Sequence, residues 1–172
     1  MKKILLTGPP RIGKTTIVKK VACCLQKGGY PLKGFYTEEI RDNYKRVGFK
    51  IVTFQGVEKI LAHISFSSPY RVSKYGVDIQ ALEEILDLIY PVSSDEIIII
   101  DEIGKMECFS KRFKDIILEV LKLQNRFLGT IALKGDPFIE TIKKMPAIKL
   151  IQVTLKNRDE LPLNLKKEFI AL

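Results

Sequence analysis

Thirteen residues near the start constrain this chain more than any others. Lys3-Ile4-Leu5-Leu6-Thr7 is a short apolar run, and Gly8-Pro9-Pro10-Arg11-Ile12-Gly13-Lys14-Thr15 follows it directly. Ile17, Val18, Val21, Ala22 and Leu25 then recur at helical spacing until Gly28-Gly29. The order reads as buried strand, loop, helix. The loop fits G-x-x-x-x-G-K-[ST] at every fixed position. Its glycines let the backbone curl so that successive N–H groups surround phosphate oxygens. The helix beginning near Lys14 aims the positive end of its dipole at the same point. Gly8, Pro9, Pro10, Arg11, Ile12, Gly13, Lys14, Thr15 and Thr16 are therefore the candidate phosphate-binding residues. Lys14 is expected to bridge the terminal phosphates, and the Thr15 hydroxyl to ligate Mg²⁺. Arg11 is unusual in such a loop. We expect it to point to solvent; the alternative is a built-in arginine finger at the phosphates.

The remaining pattern predicts an α/β sheet. Gly34 to Ile40, Val47 to Phe54 and Lys59 to Ile64 are rich in aromatic and β-branched residues and are separated by polar turns. They read as an antiparallel meander. From Val77 onward helix and strand alternate. Ile79, Leu82, Ile85, Leu86 and Ile89 mark a helix ended by Pro91, and Ile97 to Ile100 reads as a strand covered on both faces. Phe109 through Leu121 trace an amphipathic helix, Phe127 to Leu133 a strand, Pro137 to Met145 a short helix and Lys149 to Leu155 a last strand. Asn157 followed by Glu160 resembles a capping box opening a terminal helix. The expectation is a mostly parallel sheet with an antiparallel extension, in one domain spanning residues 1–172.

A phosphate loop needs a metal partner on another strand. Ile97-Ile98-Ile99-Ile100-Asp101-Glu102 supplies it, with two carboxylates at a strand's C-terminal end, where open α/β sheets place ligands. Asp101 is expected to hold Mg²⁺ through water. Glu102 is expected to polarise the attacking water as general base. Lys105 is placed to reach the terminal phosphate, unless it forms a salt bridge to Glu107 instead.

Two rival classes share these features. Asp101-Glu102-Ile103-Gly104 also fits the D-x-x-G of small GTPases, but the nearest match to their N-K-x-D guanine reader is Asn157-Arg158-Asp159-Glu160, which a cap explains better. A small-molecule kinase should carry an Arg-rich lid. The only basic pair beyond the acidic pair that contains an arginine is Lys111-Arg112, inside an amphipathic helix. Hydrolysis is therefore expected ahead of transfer.

Composition narrows the setting. The 172 residues hold 29 Lys and Arg against 20 Asp and Glu, a formal charge of +9 that favours polyanionic partners in general. No stretch approaches ~18 consecutive apolar residues, so no membrane span is expected. Gly8-Pro9-Pro10 stops the early apolar run too soon for a secretory signal. Three Cys make no disulfide framework, and adjacent Cys23 and Cys24 read as small buried hydrophobes; a reducing cytoplasm is expected. The single His63 reads as structural or surface. Phe35 and Tyr36 read as packing, and Arg41, Arg46 and Arg71 are lesser candidates for phosphate or base contacts. No aromatic-basic stacking motif for RNA is recognisable.

The motifs together resemble one family, the small thermophile-type nucleoside-triphosphate phosphatases, which includes the human cancer-related nucleoside triphosphatase. The resemblance runs over nearly the whole chain. It rests on Thr7-Gly8-Pro9-Pro10 with Gly13-Lys14-Thr15-Thr16, on Gly34 to Glu39, on Arg71-Val72 with Tyr75 and Val77-Asp78, and above all on Ile100 to Glu107 followed by Phe109-Ser110. Leu128-Gly129-Thr130-Ile131 and Asn157-Arg158 come afterwards in the expected order. The resemblance implies Mg²⁺-dependent hydrolysis of ATP, GTP, CTP and UTP with little choice among bases. It implies a P-loop NTPase three-layer sandwich of the RecA type, with an extra strand between the phosphate-loop strand and the acidic strand. Glu102 matches the family's catalytic position, and Asp101, Lys14 and Thr15 its metal and phosphate positions. Arg11-Ile12 stand where the family usually has Gly-Val, and Cys108 where it usually has Leu. A monomer is expected. The alternative is a nucleotide-gated module acting with RNA or another polyanion.

Overall fold

The computed structural model describes residues 2–170. The chain opens with β1 (Lys3–Thr7) and α1 (Lys14–Lys27), then runs through β2 (Leu32–Asp42), β3 (Lys45–Thr53), β4 (Glu58–His63), β5 (Arg71–Val72) and β6 (Tyr75–Val77). It continues as α2 (Ile79–Ile89), β7 (Ile97–Ile103), α3 (Lys111–Lys122), β8 (Phe127–Ile131), α4 (Pro137–Lys143), β9 (Ile148–Gln152) and α5 (Leu161–Ile170). A 3₁₀ turn, Glu107–Phe109, follows β7.

All nine strands join one sheet in the order β5-β6-β4-β3-β2-β7-β8-β1-β9. The strands β2, β7, β8, β1 and β9 run parallel, and β3 to β6 extend the sheet antiparallel. One strand, β8, lies between the phosphate-loop strand and the acidic strand, as the resemblance implied. Strand alternation divides the core into two layers. On one face Ile4, Leu6, Ile97, Ile99 and Leu128 pack under α1 and α5. On the other, Leu5, Phe35, Ile98, Ile100 and Phe127 pack against α2, α3 and α4. The result is the expected three-layer α/β sandwich.

Several local expectations are corrected. The helix α3 starts at Lys111, because the Ser110 hydroxyl caps it by accepting from the Phe113 N–H at 3.0 Å; Phe109 stays outside, in the 3₁₀ turn. Asn157 does not form a capping box. Its amide accepts from the Thr154 N–H at 2.8 Å and donates to the Gln152 carbonyl at 2.9 Å, closing the loop after β9. Cys23 is exposed and Cys24 half-buried, because that side of α1 turns away from the sheet; Cys108, where the family usually has Leu, is buried in the core. The strand pair β5 and β6 is too short to leave a periodic signal in the sequence.

Lys3 shows how far a local pattern can be overruled. Its chain is buried within β1, and its ammonium donates to the carbonyls of Val120, Leu123 and Asn125 at 3.1, 2.8 and 2.7 Å. A strand lysine thus satisfies the carbonyls left open at the end of α3.

Candidate active site

The site forms where the C-terminal ends of β1, β7 and β8 meet the start of α1. Backbone geometry shapes the loop. Gly8 has φ 151°, and a side chain there would place a Cβ 2.9 Å from the Val153 carbonyl oxygen. Gly13 caps α1 at φ 111°, a conformation glycine adopts without steric cost. No side chain caps this helix, so its leading N–H groups remain directed at the loop. Lys14 Nζ lies across the loop, donating to the carbonyls of Gly8 and Pro9 at 3.0 and 3.2 Å.

The acidic strand reaches the same point. Asp101 is 1% exposed, and both of its carboxylate oxygens accept hydrogen bonds. Thr15 Oγ1 donates to Asp101 Oδ2 at 2.9 Å, and Thr130 Oγ1 donates to Asp101 Oδ1 at 2.6 Å. Burial pushes the Asp101 carboxyl up, and the Thr130 and Thr15 hydroxyls pull against that shift. The Asp101–Glu102 peptide is cis. Glu102 is half-buried and faces a cleft of about 710 Å³ that Lys14, Thr15, Thr16, Arg11, Glu38, Glu39, Arg46 and Lys105 also line. Burial first, then the charge of Asp101, pushes the Glu102 carboxyl up, and Lys14 opposes them. Behind it Glu107 is buried, and its carboxyl is pushed up to about 8, chiefly by burial and next by the charge of Glu102.

The donor set fits Mg²⁺. Thr15 Oγ1 and Asp101 Oδ2 are hard oxygens sharing one hydrogen bond beside the phosphate loop. Mg²⁺ is commonly held by one or two such groups, with water and substrate phosphates completing its shell.

The structure sorts the lesser candidates. Lys105 is exposed at the cleft, and no salt bridge joins it to Glu107 among the described residues. Arg46 lines the cleft and pairs with Glu39 at 2.9 Å while donating to Tyr75 Oη at 3.0 Å. Arg41 also pairs with Glu39. Arg71 is taken up by the carbonyls of Phe66 and Lys74 and stands away from the phosphate loop's cleft. His63 bonds Ser65 Oγ at 2.6 Å, a local contact consistent with a structural role. Phe35 is core, while Tyr36 packs on Phe54 and lies under the Lys19 ammonium. Sequence reasoning missed Thr130, whose signal was a lone hydroxyl in an otherwise apolar strand. It also missed Lys19, which pairs with Glu38 at 2.5 Å on the rim.

A phosphate loop between a buried strand and a helix, one strand removed from an acidic strand end, defines a P-loop NTPase-like protein. The comparisons with known proteins narrow this. The profile of a family described as NTPase matches residues 3–165. Nucleoside-triphosphatase THEP1 of Thermotoga petrophila is 45% identical over 161 residues, covering 92% of this chain and 88% of that one. The crystal structure of THEP1 from the hyperthermophile Aquifex aeolicus matches with a TM-score of 0.84 at 38% identity, covering 96% of each chain. The solution structure of a human cancer-related nucleoside triphosphatase matches at 0.86 and 33% identity, over 99% of this chain and 98% of that one. The chain belongs to this nucleoside-triphosphatase family.

Proposed function

We propose that this protein hydrolyses nucleoside triphosphates to the diphosphate and phosphate, that the reaction depends on Mg²⁺, and that it discriminates little among bases. The observation that carries the reading is the Thr15–Asp101 hydrogen bond at 2.9 Å, set between Lys14 and Glu102 in one cleft.

Glu102 accepts a proton from water as the water oxygen bonds to the γ-phosphorus. The bond from that phosphorus to the β–γ bridging oxygen breaks, and the nucleoside diphosphate leaves. A carboxyl raised by burial is better matched to this task near neutral pH than an exposed one. Lys14, drawn from the loop carbonyls to the phosphates, and the loop N–H groups stabilise charge on the transferring group. Thr15 and Asp101 are the residues that would hold Mg²⁺, which when bound would neutralise charge on the phosphates.

Weak base preference is supported by Asn157. Its amide oxygen and nitrogen are both engaged by the loop backbone, which leaves it unsuited to read a guanine. Hydrolysis over transfer is supported by Arg112, which is tied to Asp87 rather than free to close over phosphates. A monomer in the cytoplasm belongs to the same proposal. The three cysteines are free, and no helix among the described residues is long and apolar enough to cross a membrane.

The test is phosphate release from ATP, GTP, CTP and UTP with Mg²⁺. Similar release from all four is expected, and Glu102→Gln should slow it by about 10²–10⁴-fold while nucleotide still binds. Full activity in that variant removes Glu102 from its role. Nucleotide binding without release from any of the four would favour a kinase.

A further inference from the structure

A second concavity, of about 540 Å³, opens beside the phosphate loop, and hydrolysis makes no use of it. Its walls bring together segments far apart in sequence. Arg11 comes from the phosphate loop, Arg41, Tyr44, Lys45 and Arg46 from the β2–β3 hairpin, and Lys74 from the β5–β6 turn. No Asp or Glu lines it among the described residues. Arg41 and Arg46 share the single carboxylate of Glu39, and no carboxylate pairs with Arg11, Lys45 or Lys74 among the described residues. Five cations therefore face one basin against one neutralising acid at its edge. Such a surface selects an extended anion carrying several negative charges.

The aromatic at its rim says which anion. Tyr44 is 96% exposed and has φ 64°, beside Asn43 at φ 44° in the hairpin turn. A bulky residue held in the left-handed region is uncommon. Its backbone carbonyl accepts from Arg41 at 3.1 Å, and among the described residues its ring has no aromatic or cationic partner. An exposed ring amid cations is a platform on which a base can stack, and stacking tolerates any base because every base has a π-face. Arg46 and Arg11 line both this basin and the cleft of Glu102, so a chain bound here would run alongside the terminal phosphate of a bound nucleotide.

We propose that this basin binds single-stranded nucleic acid, with Tyr44 stacking on a base and Arg11, Arg41, Lys45, Arg46 and Lys74 following the phosphates. The proposal goes beyond hydrolysis and does not depend on it. The sequence shows no RNA-binding motif because the contributing residues lie in three separate segments that only the fold assembles.

Fluorescence anisotropy with a labelled single-stranded RNA, read across a salt series, tests it, with ATP turnover measured on the same preparations. Wild-type protein should bind, and binding should weaken steeply with salt. Tyr44→Ala should weaken it about tenfold. Lys45→Ala with Lys74→Ala should reduce the log–log salt slope by about 1.4. ATP turnover without RNA should stay at the wild-type level in both variants. The proposal is overturned if wild-type protein does not bind, if the variants bind like wild type, or if inorganic polyphosphate displaces RNA while Tyr44→Ala changes nothing. Lost RNA binding with intact hydrolysis defeats the basin alone. Intact RNA binding in a preparation that hydrolyses nothing defeats the hydrolytic proposal alone.

Discussion

The parallel half of the sheet and its antiparallel extension solve the burial problem differently. Every residue of β1 and β8 is buried, because helices cover both faces. In the extension one face is buried against α2, through Ile51 and Leu61. The other carries a ladder of charge: Glu38 on β2 pairs with Lys50 on β3 at 3.4 Å, which pairs with Glu58 on β4 at 2.8 Å. The difference bears on function. Groups that need fixed placement sit where strands covered on both faces end: Asp101 near the end of β7, and Lys14 and Thr15 at the start of α1, one loop beyond β1. The more exposed groups, Tyr44, Lys45 and Lys74, sit on hairpins of the half-covered extension.

The largest effect that would break this comparison is on stability. Leu128 is fully buried on β8 under α1 and α5, and Leu128→Ala should cost about 2–5 kcal/mol through lost contacts and the cavity left behind. Ile60, on β4, is 46% exposed, and Ile60→Ala should stay within about 0.5 kcal/mol. Denaturant midpoints measure both. A comparable loss at Ile60 would mean that its face of the extension is covered in solution, and the contrast would fall.

The same contrast explains what the sequence made legible. Ile97 to Ile100 could only be a doubly covered strand, so β7 and the carboxylates at its end were readable. So were the phosphate loop and the extra strand implied by the resemblance. What resisted were contacts between distant segments. Thr130 lies 29 positions from the Asp101 oxygen it bonds, and nothing local distinguishes it from a packing threonine. Cys23 misled because small apolar character alone suggests burial, whereas the spacing of Ile17, Val18, Val21, Ala22 and Leu25, the residues α1 buries, already leaves it off that face. Asn157 misled because an Asx side chain has several backbone partners within reach. The basin of Tyr44 was invisible for a related reason, since its cations come from three turns.

A smaller effect is expected from pH. Glu107 is protonated in the folded chain at pH values where the unfolded chain, near 4.5, has lost its proton, and it ionises in the fold only at about 8. Its share of stability is therefore full below about pH 4.5 and lost as pH climbs through about 8. Glu107→Gln, which keeps the shape without the charge, should flatten this decline. Chemical denaturation of the metal-free protein at several values between pH 5 and 9 reads it. An unchanged slope in the variant would show that other groups drive the alkaline loss. The comparison sharpens here, because the extension's acids, Glu38 foremost, are held low by cations such as Lys19 and should not add to that loss.

The smallest effect is expected at Arg11, where the two regions meet. Arg11 is exposed at the tip of the phosphate loop with φ 65°, and it lines both the cleft and the basin. An L-residue pays roughly 1–2 kcal/mol for the left-handed conformation. Glycine escapes that strain but loses more chain entropy on folding, by about 0.5–1 kcal/mol. Arg11→Gly should therefore stabilise the fold by between about 0 and 1.5 kcal/mol. If its guanidinium faces the basin rather than the transferring phosphate, turnover should change less than tenfold while RNA binding loses about one cation's share of its salt slope, ~0.7. A tenfold or larger fall in turnover with RNA binding intact would place the guanidinium on the transition state instead. Arg11 would then belong wholly to the rigid half, and the basin would have to stand on the hairpin cations alone.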